Sequence, residues 1–157
     1  SAAFARDAEE LRGSLSTAGF QRLQDMLFDQ FGEIAYVLSG FRRSDGKAML
    51  KLAVGGELHL RCDRCLGPVQ FQIQSDRLFE LVPQEQMLSD PAEEPEGMEQ
   101  MHSDPKLDVL ALVEDEVILG IPMVVRHPEG SCIAPMVEDA DETKVSPFSV
   151  LDKLKRR

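Results

Sequence analysis

Two cysteines, Cys62 and Cys65, are the residues of this 157-residue chain whose type and spacing point most directly to chemistry. A C-x-x-C step lets two thiols converge on one point, as a metal ion or a redox disulfide requires. Farther along, His127 and Cys132 stand five positions apart and have zinc-ligand character too. Two thiolates from one turn, with an imidazole and a thiolate from a second, would complete a tetrahedral site. Cys62, Cys65, His127 and Cys132 are therefore the candidate metal ligands, and zinc is the candidate cofactor. Arg61 and Arg64 flank the first pair, and their charge is expected to lower the thiol pKa, which serves metal and redox chemistry alike. The plain alternative is three reduced thiols and a surface histidine in turns.

No catalytic set emerges beside them. Glu114, Asp115 and Glu116 are consecutive, and consecutive helical residues point about 100° apart, so they are expected to be solvated charges rather than a converging cluster. There is no phosphate-cradling glycine loop and no ordered Ser-His-Asp set.

The elements that must position the cysteines are legible around them. Leu58 and Leu60 alternate with Glu57, His59 and Arg61 before the turn, and Val69, Phe71 and Ile73 alternate with Gln70, Gln72 and Gln74 after it. Period-two alternation on both sides of Gly67-Pro68 predicts a hairpin in a sheet with one wet face. Upstream, residues 33–43 predict a strand, Ser44-Asp45-Gly46 a turn, and Lys47 to Val54 a second strand. Gly55-Gly56 is expected to make a bulge or bend before the hairpin begins.

Residues 1–31 are expected to be helical, in two segments broken at Gly13. Phe20, Leu23, Leu27 and Phe31 would then form the apolar stripe of the second. Pro105 is expected to start a helix with Leu107, Leu110, Val113 and Val117 on its buried side, ending at Gly120 before Pro122. Met123 to Val125 reads as a short strand. The pattern predicts an α+β fold: an antiparallel sheet of four to six strands with helices packed on one face, an acidic loop and a mobile C-terminal tail. The expected layout is a single domain over 1–132, with 84–104 a flexible acidic loop. Residues 133–157 are then a flexible tail with a short basic amphipathic end.

Charge sharpens that layout. The net charge is −11, but 84–104 holds seven acids and 138–142 four, with no lysine or arginine in either. The remainder has seventeen acids against seventeen bases, so two acidic segments carry the whole excess. Basic residues gather on the hairpins (Arg42, Arg43, Lys47, Lys51, Arg61 and Arg64) and at the tail (Lys153, Lys155, Arg156 and Arg157). Such patches can neutralise phosphates, which makes RNA a candidate contact, with a generic wet sheet face the plain alternative.

An apolar fraction of 43% suits one core. No apolar run approaches the ~20 residues that span a bilayer, so no membrane role is expected, and no small-molecule substrate. The chain begins with Ser1 rather than Met and opens on no signal-peptide pattern. With an odd number of cysteines and one C-x-x-C, a reducing compartment is expected, and the cytoplasm is the default location.

Three blocks resemble a known family: Leu60 to Val69 around the cysteine turn, Leu107 to Val125 through the helix and Pro122, and Pro147 to Arg156 at the end. Together, with an acidic spacer between the first two, they are similar to the YceD family, the bacterial large-ribosomal-RNA-subunit accumulation proteins. The helical N-terminus carries little of the likeness. The resemblance implies a non-enzymatic ribosome-biogenesis factor supporting synthesis, processing or stability of large-subunit (23S) ribosomal RNA. The implied partner is that RNA or a ribosomal protein. Some relatives carry more cysteines after the proline motif, where this chain has only His127 and Cys132. Two other readings stay open: a C-x-x-C thiol oxidoreductase, which lacks the expected βαβ pattern, and a zinc-stabilised protein-interaction module.

Overall fold

The computed structural model describes residues 1–90, 92 and 95–132. The tail expectations for 133–157, including Lys153, Lys155, Arg156 and Arg157, lie outside the described residues.

One five-stranded sheet organises the chain, in the order β1-β2-β3-β4-β5. Its strands are β1 (Glu10–Ser16), β2 (Glu33–Arg42), β3 (Ala48–Arg61), β4 (Pro68–Val82) and β5 (Met98–His102). Among the described residues there are two α-helices, α1 (Ala2–Arg6) and α2 (Val109–Gly120). β1 to β4 form an antiparallel meander, while β5 lies parallel to β4. The sheet is thus mixed, which corrects the expected all-antiparallel one within a broadly α+β class. A parallel edge strand needs a return connection. The 83–97 segment supplies it.

The β3–β4 pair is the spine, with Ala48 opposite Leu81 at one end and Arg61 opposite Pro68 at the other. β3 runs straight through Gly55-Gly56 with unbroken register, so the expected bulge does not form. Gly56 is small because β2 passes too close for a side chain: a Cβ there would lie 2.4 Å from the Glu33 carbonyl oxygen.

Even-numbered residues of β2 and β3 (Ile34, Leu38, Leu50, Leu52, Leu58 and Leu60) face the core. Against them pack Ala5 of α1, Phe20, Leu23 and Leu27, and Val113 and Val117 of α2. Both helices therefore sit on one face. On the other, Gln70, Gln72 and Gln74 are exposed, as the alternation predicts.

The N-terminal third differs most from expectation. Residues 10–16 form β1, not a helix, and Gly13 lets β1 lie against Tyr36, whose hydroxyl oxygen would be 2.8 Å from a Cβ. Phe20, Leu23 and Leu27 are buried as expected, but on a run of turns, and Phe31 is 76% exposed. Beyond isolated turn bonds such as Leu27 N–H to the Leu23 carbonyl, backbone groups there bond to β3. Phe28 N–H donates to the His59 carbonyl (2.7 Å), and Arg61 N–H donates to the Met26 carbonyl (2.9 Å).

The acidic segment is likewise not all loop. β5 lies inside it, Ser89 N–H donates to the Gln100 side chain, and Gln100 Nε2 donates to buried Glu80 (3.2 Å). α2 starts at Val109 under an Asp108 cap, whose carboxylate accepts from Ala111 N–H at 3.0 Å, rather than at Pro105. Its Glu114 and Glu116 are buried, which corrects the expectation of solvated charges. Glu114 accepts from Arg22 and Glu116 from Arg77 and Ser75. Residues 123–125 form no strand.

Candidate metal centre at the β3–β4 turn

The turn from β3 to β4 is built by its own backbone. Cys62 N–H donates to the Gly67 carbonyl and Leu66 N–H to the Cys62 carbonyl, each at 2.9 Å. Leu66 turns the chain with φ of 62°, a left-handed conformation that costs a branched side chain some strain. Arg64 N–H points at Cys62 Sγ from 3.4 Å. Such N–H groups stabilise a thiolate, and Cys62 is pulled down to about 5. The chief cause is the backbone N–H of Cys65, with those of His127 and Arg64 assisting against desolvation. The flanking arginine charges, credited in the sequence reading, are not among the causes. Burial, followed by the nearby Cys62 and Cys65 thiols, pushes Cys132 the other way.

The second arm arrives through the segment after α2. Asp63 N–H donates to the Val125 carbonyl and Val125 N–H to the Asp63 carboxylate, both at 2.8 Å. That two-way clasp brings His127 and Cys132 to the turn. The four donor atoms of Cys62, Cys65, His127 and Cys132 all lie within 4.8 Å of one another. Cys62 Sγ is 3.8 Å from Cys132 Sγ, and His127 Nδ1 is 3.3 Å from Cys65 Sγ and 3.7 Å from Cys132 Sγ.

Those separations test the fit. With Zn–S near ~2.3 Å and Zn–N near ~2.0 Å, a tetrahedron has S···S edges of ~3.8 Å and S···N edges of ~3.5 Å. The three edges given above match within a few tenths of an ångström, and the other three are bounded by 4.8 Å. His127 presents Nδ1 to the thiols because Nε2–H donates to the Pro68 carbonyl at 2.7 Å, fixing tautomer and ring orientation. The cluster can hold a metal ion, and the donor set suits zinc. Neither the Pro68 carbonyl nor the Asp63–Val125 clasp carries a side-chain signature at the sequence level, so both escaped it.

The geometry suits thiol exchange poorly. Cys62, the thiol driven toward thiolate, is fully buried, and an attacking sulfur must be reachable. The turn also lies between two strands, with no helix N-terminus at the pair.

The expected basic patch is divided. Arg42 and Arg43 lie at one end of the β2–β3 hairpin and Arg61 and Arg64 at the far end of β3, ~40 Å away at ~3.3 Å per residue. Several are engaged. Arg43 pairs with Asp45 and Glu80, Lys47 with Glu80, and Lys51 with Asp76. Arg61 donates to the Asp25 carbonyl. Arg42 and Arg64 are exposed and have no ion-pair partner among the described residues. Leu66, Met123 and Val124, in the two segments that carry the candidate metal cluster, are exposed, as is Phe28, which shares a hollow with His127 and Pro68.

Beside this end, His59 Nδ1 lies 2.9 Å from Asp29, tying the 20–31 segment to β3. That contact raises the His59 pKa and lowers that of Asp29.

Among the described residues, no helix is long and apolar enough to cross a membrane. No solved structure matches the chain. A curated relative from Haemophilus influenzae, the large ribosomal RNA subunit accumulation protein YceD, is 24% identical over 144 residues, covering 87% of this chain and 82% of its own. The family model described as large ribosomal RNA subunit accumulation protein YceD matches residues 50–155, from near the start of β3 through both arms of the candidate metal cluster and beyond. With two thirds of its length inside that match, the chain belongs to the YceD family.

Proposed function

We propose that this protein is a non-enzymatic factor supporting accumulation of large-subunit ribosomal RNA, and that its cysteine-bearing end, locked by zinc, contacts the immature large subunit. The family match over residues 50–155 carries the reading, because it spans the whole metal cluster. The cluster joins two segments more than sixty residues apart, and zinc held there would turn a pair of turns into a rigid surface. That surface presents Arg61, Arg64 and Arg126 beside exposed Phe28, Leu66 and Met123. Cations for phosphates with apolar groups for unstacked bases or protein suit a ribonucleoprotein precursor. The metal's role is structural, since four protein donors leave no open coordination position.

Co-sedimentation of the full chain with immature large subunits tests this, together with large-subunit RNA levels in cells. Arg61→Glu with Arg64→Glu is expected to weaken association several-fold at low salt and to reduce that RNA. No association of the unaltered chain with any ribosomal species would overturn the reading.

A further inference from the structure

α2 buries Val113 and Val117 in the core, yet the rest of its surface departs from an ordinary amphipathic helix. Its Glu114 and Glu116 are buried, while Leu119 is 66% and Leu110 40% exposed. Stability alone does not favour this, because each buried carboxylate had to be matched by an arginine and each leucine gains nothing in water. Leu110 lies on the far side of the helix, but Leu119 lines a groove, and an exposed leucine there marks a surface that is covered in use. The groove lies between α2 and β5, with a volume of about 380 Å³. Met101, Leu112, Ile118 and Leu119 give it an apolar lining, and Glu99 and Asp115 stand at the same site.

Its charge selects the occupant. Arg22 is committed to Glu114 and Asp115, and Arg77 to Glu116. Glu99 is exposed and has no ion-pair partner among the described residues. It sits within 84–104, which has seven acids and no lysine or arginine. An RNA backbone is repelled by such a rim. A second copy brings the same carboxylates, on a chain of net charge −11. A lysine- or arginine-rich protein segment with apolar side chains on one face meets both the lining and the rim.

We infer that the α2–β5 groove binds a basic amphipathic segment of a protein partner, with apolar side chains against Leu119 and Met101 and a cation at Glu99. The inference deepens the proposed function by assigning a protein partner, within the large-subunit precursor, to a surface separate from the cysteine-bearing end.

The test uses the full chain carrying a photo-crosslinking residue in place of Leu119, and a control chain with it in place of Leu11, which is exposed on β1. Each is irradiated with proteins stripped from large ribosomal subunits, and separately with naked large-subunit RNA. The expected result is an adduct from position 119, not from position 11, on a lysine- and arginine-rich segment of one protein. Glu99→Lys should cut its yield roughly fivefold, the effect of one rim charge. Adducts to RNA alone, to a second copy, or to residues 133–157 of the same chain would overturn the inference. So would equal yields from both positions, or none. If position 119 fails while co-sedimentation with immature subunits persists, the groove inference falls and the proposed function stands.

Discussion

At the residue scale, the fold depends on a few charges whose partners are far away in sequence. Glu116 is the sharpest case, its side chain 3% exposed, held by Arg77 at 3.1 Å and by the Ser75 hydroxyl. Glu116→Ala would strand Arg77, itself partly in water, and is expected to cost roughly 2–3 kcal/mol by denaturant titration, below the usual buried-pair range. His59 and Asp29 make the same point in pH. The raised His59 pKa contributes stability that is full below its unfolded value of ~6.5 and is lost as pH rises through the folded value. The lowered Asp29 pKa contributes stability above ~3.8 that is lost as pH falls through its folded value. The pair is therefore strongest in mildly acidic solution and weakens on the alkaline side of neutrality. Melting temperature followed from pH 5 to 9 should show that decline, and Asp29→Asn should remove most of it, leaving the smaller contribution of Glu57.

At the element scale, burial was readable from sequence more reliably than conformation. The hairpin around Cys62 and Cys65, the β2 strand and Val113 and Val117 of α2 follow periodicities that local side chains impose, whereas Leu110, expected on the buried side, is 40% exposed. Phe20, Leu23 and Leu27 have helical spacing and are buried, but their segment spends its backbone bonds on β3 and on side chains. Gln24 Nε2 donates to the carbonyls of Thr17 and Phe20, and Thr17 donates to that of Gln30. Those partners become visible only when β3 is in place. β5 was hidden for a similar reason: Met98, Glu99, Gln100, Met101 and His102 are a weak strand pattern, and their pairing comes from β4. This changes what deleting the acidic segment should do. Replacing all of 84–104 with a Gly/Ser linker removes β5 and uncovers the β4 edge, and is expected to lower the melting temperature by several degrees. Replacing 84–95 alone keeps β5 and should change it little. Equal, negligible effects from both deletions would show that β5 adds nothing to the sheet.

At the scale of the whole molecule, the Cys62–Cys65–His127–Cys132 cluster is where two separate parts of the chain meet. All four candidate ligands were legible, because cysteine and histidine announce their chemistry by type. Their meeting was not legible, since it depends on the Asp63–Val125 clasp and on α2 delivering the chain to the turn. The dependence can be measured by where the chain is cut. A chain ended after residue 132 retains every described element and all four donors. It should keep close to one equivalent of zinc by elemental analysis and nearly the full melting temperature. A chain ended after residue 126 retains the sheet, α2 and the Val125 clasp but lacks His127 and Cys132. It should lose the metal and melt lower, because structural zinc binding is coupled to folding. Chelator should then destabilise the longer chain and leave the shorter one unchanged, and Cys62→Ser in the longer chain should reproduce the loss. If the 1–132 chain is metal-free as purified and indifferent to chelator, the cluster is three reduced thiols and a histidine held by hydrogen bonds. In that event the rigidity of the cysteine-bearing end would have to come from the Asp63–Val125 and His127–Pro68 contacts alone.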